Sequence, residues 1–96
     1  MQDTFYIETN DGYEKLKGIK NIEWEIGEGI EIILTTKFNS QSDFILRGCF
    51  FSNLETRENN YFKFNNDIVG EKYFSAKVDK FTEGEYDNTF NLNIIY

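Results

Sequence analysis

A chain of 96 residues with 17 acidic and 10 basic side chains, no His, no Pro and one Cys has no room for a second large core and no means for histidine chemistry. The net charge of −7 argues against nucleic-acid binding and anionic membranes, because phosphate ligands select a basic footprint. One Cys cannot close an internal disulfide.

Residues 1–5 lack the basic start and apolar run of a secretory leader. No apolar stretch approaches the roughly 20 residues of a membrane span. The expected location is the cytoplasm of a bacterial or host cell, or a virion.

Along the chain, alternation with period two is the dominant signal. Residues 4–9 read as a strand, with Phe5 and Ile7 on one side and Tyr6 on the other. Asn10, Asp11 and Gly12 form a turn, since Asn and Gly tolerate positive φ. Residues 13–18 read as one helical turn or an irregular connection. Ile22, Trp24 and Ile26 alternate with Asn21, Glu23 and Glu25, a half-buried strand that places Trp24 in the core. Gly27-Glu28-Gly29 turns the chain into a return strand carrying Ile30, Ile32 and Leu34.

Residues 38–43 form a polar connection. Residues 44–51 carry apolar groups on both faces, the pattern of a central strand or of one that meets a partner, with Arg47 snorkelling at its edge. Residues 52–60 are polar and hold at most a turn of helix. A short strand follows at 61–64, a turn at 65–67, then Ile68 and Val69 as packing residues. In residues 72–81, Phe74, Ala76 and Val78 alternate with Tyr73, Ser75, Lys77 and Asp79. Residues 82–85 turn into a last strand, with Phe90, Leu92, Ile94 and Tyr96 on one side. The expected fold is all-β, an antiparallel sandwich or small barrel of about seven strands in one domain, with at most one short helical turn.

Catalytic constellations are missing from this pattern. Without His there is no Ser–His or Cys–His dyad and no usual general base. Cys49, within Gly48-Cys49-Phe50-Phe51, reads as a buried structural thiol, and one Cys without His builds no structural zinc site. Gly27-Glu28-Gly29 joins two strands and carries an acid, so it is a hairpin turn and not a phosphate cradle. The expectation is a protein that is not an enzyme and that uses no metal or cofactor.

Two acidic groups stand out: Glu23, Glu25, Glu28 and Glu31 around the first hairpin, and Asp79, Glu83, Glu85 and Asp87 around the last. The segment from Glu83 to Asp87 offers three carboxylates but not the EF-hand spacing. Solvated turns are the plain reading of both groups. Their functional reading is a surface resembling a run of phosphates, which a basic partner neutralises and binds quickly at low salt. Tyr6, Tyr13, Tyr61, Tyr73 and Tyr86 fall at outward positions, and tyrosine beside acids is a common interface composition. The expected partner-binding residues are therefore the two acidic groups with Tyr73 and Tyr86.

Phe, Tyr, Ile, Asn and Lys, whose codons are AT-rich, supply 46 residues against 10 from Gly, Ala, Arg and Pro, a balance that suggests a phage or mobile element. The expected function is a non-catalytic acidic protein-binding domain of the inhibitor or immunity type. It would occupy the basic, nucleic-acid-binding surface of a nuclease or defence protein, without itself touching nucleic acid or membrane. The alternative is a virion subunit of tail or capsid that assembles through sheet edges, with residues 44–51 at the interface. Homo-oligomerisation is compatible with either.

Overall fold

The computed structural model describes residues 3–95 apart from Glu28, Arg57 and Val69, and describes Ile26 by its backbone alone. The expected packing of Val69 and the expected end of the last strand at Tyr96 lie outside the described residues. The elements are β1 (Thr4–Thr9), β2 (Gly12–Lys15), β3 (Ile19–Ile26), β4 (Ile30–Lys37), α1 (Gln41–Thr56), β5 (Asn60–Asn66), β6 (Gly70–Glu83) and β7 (Asp87–Ile95). All strands join one sheet in the order β2-β1-β5-β6-β7-β4-β3, and every pairing is antiparallel. The mostly antiparallel β architecture, with an unclosed sheet, fits the expected all-β sandwich or small barrel.

The sheet folds back on itself. β3 and β5 are four places apart in the strand order, which in a flat sheet is about 19 Å at the usual interstrand spacing. Yet the ring of Trp24 on β3 lies 5.3 Å from that of Phe64 on β5, edge to face. The inner faces thus enclose one core, in which Phe5, Ile32, Leu34, Phe62, Phe90 and Leu92 are almost completely buried. Trp24 points to this interior as its alternation predicts, but it stands at the rim and is 42% exposed. Its expected place in the core is corrected to a place at the mouth.

Two stretches differ from the strand-by-strand expectation. Residues 13–18 contain a strand, because Gly12 at φ 108° turns β2 directly onto β1. Thr9 Oγ1 ties the turn by accepting the amide of Asp11 at 3.2 Å and donating to the Gly12 carbonyl at 2.8 Å. The larger correction concerns residues 44–51, which are helical. Ser40 Oγ accepts the Asp43 amide at 3.2 Å, and Asp43 Oδ2 accepts the Asn39 amide at 2.9 Å. This reciprocal box starts a helix and satisfies donors that would otherwise be orphaned. Leu46, Cys49 and Asn53 then recur on one buried face. The helix regroups the apolar residues that alternation divides into two faces: Leu46 and Cys49 turn inward together, and Phe44 and Phe51 turn outward.

β6 runs as one strand of 14 residues, with a register slip against β7 between Val78 and Lys80. The slip moves the inward phase by one residue, so Phe74, Ala76 and Val78 are followed on the core side by Phe81. Among the described residues no helix is long and apolar enough to cross a membrane.

Candidate functional site

The residues expected to meet a partner fall on three separate parts of the surface. Glu23 and Glu25 lie outward on β3, and Glu31 lies outward on β4. Glu25 and Glu31 are directly opposed in register. Glu31 accepts a hydrogen bond from Asn91 Nδ2 on β7, and Asn93 opposes Glu31 from the same strand. Asn93 Nδ2 in turn donates to Asp79 Oδ2 at 3.5 Å. Asp79 therefore joins the acids of the first hairpin across β7, although the sequence groups it with the last turn. Among the described residues no ion pair reaches Glu23, Glu25, Glu31 or Asp79. Lys77 and Lys80, in register with Asn93 and Asn91, bound this acidic wall on its far side. Glu28 lies outside the described residues.

Glu83, Glu85, Tyr86 and Asp87 occupy the opposite end of the sheet. The β6–β7 turn closes through the Gly84 amide, which donates to the Asp87 carbonyl at 2.8 Å. Asp87 is an occupied acid: Lys20 Nζ lies 2.8 Å from Oδ1, and Lys37 opposes it in register. Tyr86 is exposed, and its carbonyl accepts the Phe38 amide at 3.1 Å. Lys37 and Glu31 are six residues apart on β4, about 20 Å at the rise of a strand, so the two acidic groups do not merge. Among the described residues no three acidic or thiol side chains are placed to hold a metal ion.

Tyr73 belongs to a third surface, on the outer side of β1, β2, β5 and β6. There Lys63 Nζ sits 4.1 Å from the ring centroid of Tyr6, 5.7 Å from that of Tyr13 and 6.0 Å from that of Tyr73. Glu71 faces the same ammonium at 3.7 Å and accepts the Tyr73 hydroxyl at 3.2 Å. Burial and then the charge of Glu8 raise the Tyr13 phenol above its ordinary pKa. The cationic centre of this cluster is internal, so its cation–π contacts order the wall rather than leave an empty cage. Because the sheet curls, the tyrosine wall and the acidic wall stand on opposite sides of the core. Lys63 was not legible as an organiser: alternation places it outward, but no local pattern tells which strands flank it.

Beneath the start of α1 lies a buried polar joint. Asp43, fully buried, accepts Asn88 Nδ2 at 2.7 Å, and Arg47 Nη2 stands 3.0 Å from Asp43 Oδ2. The Arg47 guanidinium also covers the Phe44 ring at 4.9 Å. Arg47 is thus an ion-pair partner within the helix, and its expected role as a snorkelling strand-edge residue is corrected. Cys49 is buried, and loss of solvation pushes its thiol up to about 11, far from the thiolate needed of a nucleophile at neutral pH.

A cleft of about 420 Å³ runs between the start of β1, at Asp3, Thr4 and Phe5, and the segment of residues 15–22. Lys15, Lys17 and Lys20 line it, so lysines that the sequence scatters are gathered here. The arrangement as a whole offers charged and aromatic surfaces on a fixed sheet. No protein-family model matches the chain, and no curated protein or solved structure matches it either.

Proposed function

We propose that this chain is a non-catalytic protein-binding domain of the inhibitor or immunity type, which presents the wall of Glu23, Glu25, Glu31 and Asp79 to a basic, nucleic-acid-binding surface of another protein. The observation that carries the reading is the direct opposition of Glu25 and Glu31, to neither of which an ion pair reaches among the described residues. Like charges opposed across strands oppose folding by a few tenths to about 1 kcal/mol. A site that keeps such a local conflict is the kind of place where function overrides stability. A partner supplying Lys or Arg relieves the repulsion on binding, and its approach is accelerated by the net charge of −7. A phage or mobile-element origin, suggested by the composition, supplies the setting: a nuclease or defence protein whose nucleic-acid channel is to be blocked.

The test follows from the sign of this conflict. Glu25→Lys converts the like pair into an opposite one, so it raises the melting temperature while weakening capture of the partner. Wild type and variant serve as baits for low-salt capture from the source cell, followed by elution with rising salt. A basic protein held by the wild type, released by salt and lost with the variant supports the reading. Capture indifferent both to salt and to the substitution rejects it.

The second reading, a virion subunit that extends its sheet into neighbouring copies, rests on the unclosed sheet, in which β2 and β3 each pair on one side only. Self-assembly abolished by a proline within β3 and unchanged by Glu25→Lys favours it.

A further inference from the structure

The cleft between the start of β1 and residues 15–22 has unpaired strand edges for its walls. One side of β1 is covered by β5. On the other, β2 pairs only with Tyr6–Thr9, and one further bond runs from the Leu16 amide to the Phe5 carbonyl at 2.8 Å. The chain then leaves β1, because its next groups are held elsewhere. The Lys17 amide donates to Gln41 Oε1 at 2.7 Å. The Lys17 carbonyl accepts the Ser42 amide at 3.0 Å, and the Gly18 carbonyl accepts the Lys37 amide at 2.8 Å. Across the cleft stands β3, the last strand in the sheet order, which pairs with β4 alone. Among the described residues no backbone bond joins residues 3–5 to residues 19–22. Here the curled sheet stops short of closing, and α1 and β4 hold the opening in place.

The chemistry of the cleft selects its occupant. Phe5 and Leu16, both buried, and Ile19 and Ile22, only partly buried, give it an apolar floor. Its rim carries Lys15, Lys17 and Lys20, all exposed. Asp87 answers Lys20, but among the described residues no ion pair reaches Lys15 or Lys17. The acid of the cleft, Asp3, accepts Asn66 Nδ2 of β5 at 3.3 Å. In physiological salt the screening length is about 8 Å, so these two lysines act locally while most of the protein's negative charge is screened. Successive side chains of a strand point to opposite faces. A strand laid in this cleft therefore sets alternate residues on the apolar floor and the others among lysines.

We propose that the cleft binds a short extended peptide in which apolar residues alternate with acidic ones, added as a strand between β1 and β3. Main-chain hydrogen bonds to the two open edges supply affinity, and the alternate side chains supply selectivity. The peptide also covers strand edges that otherwise invite unspecific pairing. This site is separate from the acidic wall and takes a ligand of the opposite charge.

The test is a nuclear magnetic resonance titration of the full chain, in physiological salt, with a capped hexapeptide of alternating Val and Glu. Saturable shifts are expected at the amides of Thr4, Phe5, Lys20 and Asn21, together with a raised melting temperature. A peptide with Lys in place of Glu should bind at least several-fold more weakly, through charge. One with Pro at its centre should do the same, through a lost main-chain donor. Lys15→Glu combined with Lys17→Glu should weaken the Val–Glu peptide at least several-fold, with circular dichroism and capture of a basic partner by the acidic wall unchanged. If that variant fails to fold, Lys15→Gln with Lys17→Gln decides. Absence of shifts at these amides overturns the proposal, as do equal affinities for the Glu and Lys peptides. Inorganic phosphate that reproduces the shifts and displaces the peptide overturns it too, since the cleft is then a simple anion site.

Discussion

Asn53 Oδ1 accepts the backbone amide of Val78 at 2.9 Å, at the point where β6 slips register against β7. β5 pairs with β6 only as far as Ala76, which opposes Asn60, so the helix supplies an acceptor just beyond the end of that ladder. Asn53 Nδ2 meanwhile donates to Asn60 Oδ1 at 2.8 Å, so one side chain fastens α1 both to β6 and to the start of β5. Asn53→Ala leaves a buried donor unsatisfied and is expected to lower stability by about 2 kcal/mol. Urea denaturation with an unchanged m-value checks it; a loss of only a few tenths would mean that water takes the place of the asparagine.

The fold-back of the sheet makes a prediction about two residues remote in strand order. Trp24 and Phe64 meet edge to face at 5.3 Å. A double-mutant cycle to Ala at both positions should give a coupling of about 1 kcal/mol. Additive effects would show that β3 and β5 do not face each other across the core.

Gly18 is the residue at which β2 hands over to β3. Its φ is 93°, and a Cβ there overlaps the side chain of Ser40, the residue that caps α1. Its carbonyl accepts the Lys37 amide at 2.8 Å, so the backbone cannot easily turn away. Gly18→Ala combines a left-handed backbone, which is unfavourable for L-residues by about 1–2 kcal/mol, with a displaced N-cap, about 1 kcal/mol more. A drop of roughly 2–3 kcal/mol is expected, with helical signal lost before strand signal in far-ultraviolet circular dichroism as temperature rises.

The Cys49 thiol sets an alkaline limit. Burial raises its pKa from 9.0 to about 11. Between those values the unfolded chain has released the proton and the folded chain still holds it. Stability linked to this group is therefore complete below pH 9 and declines as pH rises from 9 towards 11. Cys49→Ala should flatten that part of the stability profile, at the expense of packing at all pH values. At neutral pH the native thiol should react with alkylating reagents only through opening of the helix, so the rate should follow the open population and fall about tenfold for each 1.4 kcal/mol of added stability.

Much of the sheet was legible because alternation is a local signal. Phe5 and Ile7, Ile32 and Leu34, and Phe90 and Leu92 each reveal an inward face by spacing alone, and Gly27 and Gly29 mark their hairpin. The helix was not read, since Phe44, Ile45, Leu46, Cys49, Phe50 and Phe51 satisfy both periods when one side of a helix is left apolar. The signal that could have found it, Ser40 followed three residues later by Asp43, is a capping box just ahead of an apolar run. Residues 13–18 were misread for a related reason: β2 is too short for its own alternation to register.

By itself the sequence determined the antiparallel β class, most of the inward faces, the acidity, the absence of histidine chemistry and the burial of Cys49. Each follows from composition or from neighbours a few residues apart. Tertiary structure alone decided that Asp79 stands beside Glu31, that Lys20 occupies Asp87, and that Tyr73 gathers with Tyr6 and Tyr13 around Lys63. Those relations join strands distant in sequence, and their order and register come from the fit of the whole core, to which no short pattern of residues has access.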